Sequence, residues 1–168
     1  MSADNQQERL DPYISGYVDG EGSFHVALQK VAHVKFGYQL VPEFHVSQNY
    51  DYANNLSVIQ KRLGCGYIKP NHRSSKTDKT WVFVVRNRQD LLTKVIPFFI
   101  KNPLLSPKQK DFEKFALIVS AMESKKHYTK QGFLKLLRVA FSMNRGGQYR
   151  RQSLTGIIRD LESSTTTR

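Results

Sequence analysis

Apolar and polar positions alternate in two long runs, Ser23–Val31 and Phe36–Gln48. This period of two predicts a pair of strands, with Phe24, Val26 and Leu28, then Leu40, Phe44 and Val46, on one face. The other face carries His25, Ala27 and Gln29, then Gln39, Val41, Glu43, His45 and Ser47. A row of this kind suits plain solvation. It also suits a two-stranded ribbon that enters the DNA major groove and reads base edges. Ahead of these runs, Asp11-Pro12 has the form of an N-cap with proline at the first helical position, and predicts a short helix to about Asp19. That helix stops at Gly20-Glu21-Gly22.

Helical spacing returns over Asp51–Leu63 through Leu56, Ile59 and Leu63, and Gly64 supplies the stop. Tyr67–Lys69 and Thr80–Arg86 are predicted strands joined by the basic, polar loop Pro70–Lys79; the strand parity leaves Trp81 unplaced. Gln89–Ile100 predicts a further helix. Ser106-Pro107 caps another to about Ser124, with Phe112, Phe115, Ile118, Val119 and Met122 on its apolar side. Phe133–Phe141 and Leu154–Leu161 predict shorter helices. The order α-β-β-α-β-β-α, followed by helices, predicts an α+β fold with a four-stranded antiparallel sheet backed by helices. Residues 1–10 and 163–168 lack such patterning and are expected to be flexible, leaving 11–162 as a single domain.

Composition sharpens the expected function. The 168 residues carry 26 Lys and Arg against 14 Asp and Glu, a formal charge of +12. This exceeds the roughly 2 to 8 charges that keep a small domain in solution, and points to a polyanion, most simply nucleic acid. Between Ser124 and Arg159 there is no acid at all, while Lys125, Lys126, Lys130, Lys135, Arg138, Arg145, Arg150, Arg151 and Arg159 accumulate. That stretch is read as a phosphate-tracking face. Cys65 is the only cysteine, which excludes an intrachain disulfide and a cysteine-cluster metal site. The longest apolar runs fall far short of the roughly 20 residues of a spanning helix, and no signal-peptide pattern precedes Asp11. The expected setting is therefore intracellular, in bacterial cytoplasm or an organelle, with no membrane partner.

Gly16 and Gly20 are four apart, so they share a helical face on which another backbone can approach closely. Glu21 closes the helix, where the macrodipole disfavours a carboxylate and calls for positive charge. Two such ends meeting on a dimer axis would bring two Glu21 carboxylates together, an arrangement suited to hard divalent cations.

The segment Ile14-Ser15-Gly16-Tyr17-Val18-Asp19-Gly20-Glu21-Gly22 resembles the signature of the LAGLIDADG homing endonucleases, with Ser15 in place of the usual alanine and Glu21 in place of the usual second aspartate. Pro42-Glu43-Phe44-His45-Val46-Ser47-Gln48 resembles the family's corresponding strand, and Val95-Ile96-Pro97-Phe98-Phe99 followed by Lys108 and Phe112 resembles its later segment. The resemblance spans roughly Asp11 to Phe115. It implies Mg2+ held by Glu21 and the Gly20 carbonyl, and catalytic roles for Glu21, Gln48 and Lys108, with Asp19 structural and bonding backbone amides. It also implies DNA contact by His25, Ala27, Gln29, Gln39, Val41, Glu43, His45, Ser47, Lys69 and Asn71. One copy of the signature implies a homodimer through the motif helix, with Tyr13, Gly16, Tyr17 and Gly20 at the interface. The activity so implied is a double-strand break in a long pseudo-palindromic DNA, across the minor groove, which promotes mobility of a host intron. The rivals are an RNA maturase of the same family that binds intron RNA, and a non-catalytic basic nucleic-acid-binding protein.

Overall fold

The alternation and spacing of apolar residues are realised, in the computed structural model, as seven α-helices and four strands among the described residues, which are 3–72, 75, 77–144 and 152–163. In chain order these are α1 (Ala3–Glu21), β1 (Gly22–Lys30), β2 (Tyr38–Asn49), α2 (Asn54–Leu63), β3 (Tyr67–Pro70), β4 (Thr80–Val85), α3 (Arg88–Asp90), α4 (Ile96–Lys101), α5 (Lys108–Glu123), α6 (Lys130–Phe141) and α7 (Leu154–Ser163). The four strands form one sheet in the order β1-β2-β4-β3. Strand β4 runs antiparallel to both β2 and β3, placing Phe44 opposite Val85, Val46 opposite Phe83 and Gln48 opposite Trp81. Trp81, unplaced by the sequence, thus shares the face of Phe44 and Val46.

The first helix departs from expectation. It begins at Ala3 rather than Asp11, and Pro12 lies inside it. Asp11 does not act as an N-cap: its carboxylate is buried and accepts two hydrogen bonds from the Arg62 guanidinium, at 2.6 and 2.7 Å. A buried carboxylate needs such a bidentate partner more than a helix start needs a cap. The segment predicted as one helix over 89–100 contains a wider turn at Leu91–Val95, closed by Ile96 N–H donating to Leu91 O. Pro97 explains it, since proline lacks the N–H of a regular turn and its ring collides with the carbonyl four residues back. Gly64 ends α2 as expected, in the left-handed conformation at φ 63°.

The chain groups into two compact units, Met1–Phe24 with Glu43–Phe112, and His25–Pro42 with Glu113–Arg168. In the first, Phe24 stacks on Phe44 at 4.9 Å between ring centroids and meets Phe99 and Phe112 edge-on at 5.2 Å each. Stacked and edge-on arrangements are those aromatic pairs prefer, because they set the positive ring edge against a negative face or offset the faces. Helix α2 packs against β3 and β4 through a face that buries Leu56, Ile59 and Leu63. In the second unit, α6 buries Phe133, Leu136, Leu137 and Ala140, and Phe36 lies against Phe133 at 5.3 Å. The Tyr38 hydroxyl donates to Asp160 on α7 at 2.6 Å, and Lys35 Nζ donates to the Tyr128 carbonyl at 3.1 Å. The basic segment after Ser124 therefore braces the turn between the first two strands. Arg145, Arg150, Arg151 and the tail 164–168 lie outside the described residues. No described helix is long and apolar enough to cross a membrane.

Candidate active site

Helix α1 passes into β1 without a loop, and Gly22 makes this possible. A Cβ at Gly22 would lie 2.5 Å from Val18 Cγ1 and 2.6 Å from Val18 O, so no other residue fits while the strand leaves the helix here. The junction places the exposed Glu21 at the end of the helix and the start of the sheet.

The positive charge that the helix end requires comes from Lys108, the first residue of α5. Its Nζ donates to Val18 O at 3.0 Å and lies 3.5 Å from Gly20 O. Burial lowers the Lys108 pKa from its ordinary value, against the opposing pull of Asp19, Glu21 and Asp111. A cation held in this way satisfies the last carbonyls of α1 and offsets their partial negative charge.

Asp19 holds Lys108 in place. Its carboxylate accepts from Leu105 N–H at 3.1 Å, from Ser106 N–H at 2.9 Å and from the Ser106 hydroxyl. Ser106 Oγ in turn accepts from Lys108 N–H at 3.1 Å, the capping contact expected of Ser106. Burial alone would raise the Asp19 pKa; the Ser106 hydroxyl, the two amides and Lys108 outweigh it and hold the group below its ordinary value. A carboxylate with a depressed pKa contributes stability above its unfolded pKa, and loses that contribution as pH falls through the folded one. Asp19→Asn is accordingly expected to cost about 1 kcal/mol at pH 7, as a lost cap does, with the gap to the parent closing below about pH 4. Urea midpoints at pH 7 and pH 3 check this; a gap unchanged between them would remove Asp19 from the list of groups that stabilise by charge.

Ser15, the departure from the usual alanine, is buried, and its hydroxyl donates to Asn102 O at 2.9 Å and Pro103 O at 3.1 Å. The substitution therefore ties α1 to the segment that leads into α5. On the next strand Gln48 Nε2 donates to the Tyr17 hydroxyl at 2.5 Å, and Gln48 Oε1 accepts from Asn49 N–H at 2.7 Å. Tyr17 and Glu21 are four apart and so share a helix face, which sets Gln48 one turn from Glu21. Lys108 thus sits against the end of α1 at Val18 and Gly20, and Gln48 meets the same helix at Tyr17.

The expected DNA-facing row fares unevenly. Along β1 and β2, His25, Ala27, Val41, His45 and Ser47 are half-buried and Gln29 and Gln39 exposed; Lys69 is half-buried and Asn71 exposed. Glu43 alone among them is buried, at 3% exposure. Its carboxylate accepts from Arg86 Nε and lies 2.9 Å from His45 Nε2, so it is engaged by its own strand neighbours. Sequence reasoning did not single out Arg86, which follows Val85, the residue paired with Phe44, just beyond the end of β4. On α1, Tyr13, Gly16 and Gly20 are exposed, and a Cβ added at either glycine would meet nothing within 4 Å.

A family model described as LAGLIDADG endonuclease matches residues 14–119. The chain is 35% identical over 140 residues to a probable intron-encoded endonuclease 2 of Neurospora crassa, covering 82% of this chain and 30% of that protein. The chain therefore spans about a third of that curated relative. Among solved structures, the archaeal intron-encoded homing endonuclease I-Vdi141I complexed with DNA superposes with a TM-score of 0.85 at 25% identity, covering 95% of this chain and 99% of that one. I-SmaMI bound to an uncleaved DNA target in the presence of calcium ions superposes with a TM-score of 0.73 at 28% identity, covering 79% of this chain and 44% of that one.

Proposed function

The chain belongs to the LAGLIDADG endonuclease family, and on that premise we propose that it is a homing endonuclease that makes a double-strand break in a long pseudo-palindromic DNA target and so promotes mobility of its host intron. The observation that carries this reading is the exposed Glu21 at the end of α1, with the Lys108 ammonium against the same helix end and Gln48 anchored one turn back. Neither a purely structural helix end nor a passive basic domain explains a carboxylate held at the negative end of a dipole.

Hydrolysis is metal-dependent in this reading. The Glu21 carboxylate and the Gly20 carbonyl are hard oxygen donors suited to magnesium or a similar divalent ion. Gly20 O keeps room for such a ligand, since Lys108 Nζ stands 3.5 Å from it, beyond a good hydrogen bond, and makes its shorter contact with Val18 O. Calcium in the DNA complex of I-SmaMI supports a divalent ion. When bound, such an ion would supply an activated water and neutralise charge on the phosphate. Gln48 would orient the attacking water through its amide, and Lys108, its ammonium destabilised by burial, would stabilise the charge that builds on the phosphate.

The chain acts as a homodimer through the exposed glycine face of α1. The half-buried and exposed residues of β1, β2 and β3 read one half-site each, and the Lys/Arg run beyond Ser124 tracks phosphates. Lys125 and Lys126 are exposed and belong to that run. Their joint replacement by alanine is expected to reduce the slope of log Kd against log salt by about 0.9 per lost phosphate contact, with cleavage at low salt retained. Fluorescence anisotropy across a salt series measures it; an unaltered slope would take this segment off the DNA.

A randomised duplex library, incubated with magnesium and separately with calcium, tests the whole reading when the cut ends are sequenced. Magnesium-dependent breaks at a long pseudo-palindrome are the expected result. Binding without cutting in either metal overturns it in favour of a maturase or a passive binder, and competition by intron RNA separates those two.

A further inference from the structure

The Gln48 carboxamide has only one orientation that satisfies both of its neighbours. Asn49 N–H is a pure donor and lies 2.7 Å from one end of the amide, so that end is oxygen. The NH2 group therefore points at Tyr17, whose hydroxyl oxygen accepts from it at 2.5 Å. The terminal torsion of a glutamine is otherwise broad. Without the phenol, the amide keeps one partner and turns about its own axis.

Tyr17 also sits on the helix whose exposed side carries Tyr13, Gly16 and Gly20, and its ring lies 6.0 Å from that of Tyr13. We propose that Tyr17 is a positioning residue for strand cleavage, holding the Gln48 carboxamide in its working orientation. The hydroxyl bonds Gln48, and the ring lies beside that of Tyr13 on the same helix. This inference rests on the nuclease reading and adds a residue to it. Tyr17 differs from Glu21 and Lys108 in acting through another side chain.

Tyr17→Phe keeps the ring and removes the contact. Compared with the parent, Gln48→Ala and the double variant on the duplex recovered from the library, it is expected to lower the single-turnover rate in magnesium by about 10- to 100-fold. Affinity in calcium and the sedimentation mass stay unchanged. The double variant cuts no more slowly than Gln48→Ala alone, because both changes remove one function. In 15N spectra, the Gln48 side-chain amide signals shift in Tyr17→Phe. Additive losses in the double variant, a parental rate in Tyr17→Phe or an unmoved Gln48 amide signal each overturn the inference while leaving the nuclease intact. A parent chain that cuts nothing in the library overturns the nuclease reading and the inference with it.

Discussion

Glu21→Gln is expected to bind its DNA target within about twofold of the parent affinity and to cut it about a hundred- to a thousandfold more slowly, the scale on which removal of a central electrostatic group acts. The substitution keeps the shape of the side chain and removes its charge. Glu21 is exposed and the Asp19 and Lys108 contacts do not pass through it, so the fold has no reason to change. Losing a carboxylate from the end of a helix even relieves an unfavourable interaction with the macrodipole. Stability is thus expected to stay level or rise while cleavage collapses, and this opposition of sign is what separates a reacting group from a structural one. Nicking of the library-derived duplex in magnesium, beside binding in calcium, measures both quantities. Cleavage at the parent rate would remove Glu21 from the site, and a parallel loss of binding and melting temperature would make it structural.

Much of the local structure around the candidate site was legible because it is written in short-range patterns. A glycine pair four apart, a carboxylate closing a helix and a serine-proline start are local signals, and the structure returns each as an exposed helix face, a helix end held by a cation and a capped α5. The antiparallel sheet followed equally from period-two alternation. What escaped depends on contacts across long stretches of chain. Asp11 read as a cap because its partner, Arg62, lies 51 residues away. Glu43 read as an open base-reading group because alternation gives the face of a residue and not what covers it; only the register of β2 on β4 reveals Arg86. Trp81 could be assigned to neither face until that register fixed it opposite Gln48. The Tyr17 hydroxyl belongs to the same class: the resemblance put the residue at the dimer interface and was silent about the strand it reaches.

Gly16→Leu carries the other large effect, and it tests the dimer without touching any polar group of the site. In the isolated chain a Cβ at Gly16 meets nothing within 4 Å, so a side chain there costs no packing. Replacing glycine within a helix stabilises it by roughly 0.5–1 kcal/mol. In the proposed dimer, where α1 lies backbone to backbone against its copy, the same side chain holds the two apart. The expected variant is a folded monomer with its helical circular dichroism intact, which contacts one half-site at a time. Linking two binding sites raises affinity by about 100- to 10,000-fold over one, so affinity for the full target should fall within that range and double-strand breaks should disappear. Sedimentation mass and linearisation of a plasmid bearing the target check the two halves separately. A dimer that still linearises the plasmid would move the interface away from this helix face, whereas a monomer that still does so would show that one copy of Glu21 suffices for both strands.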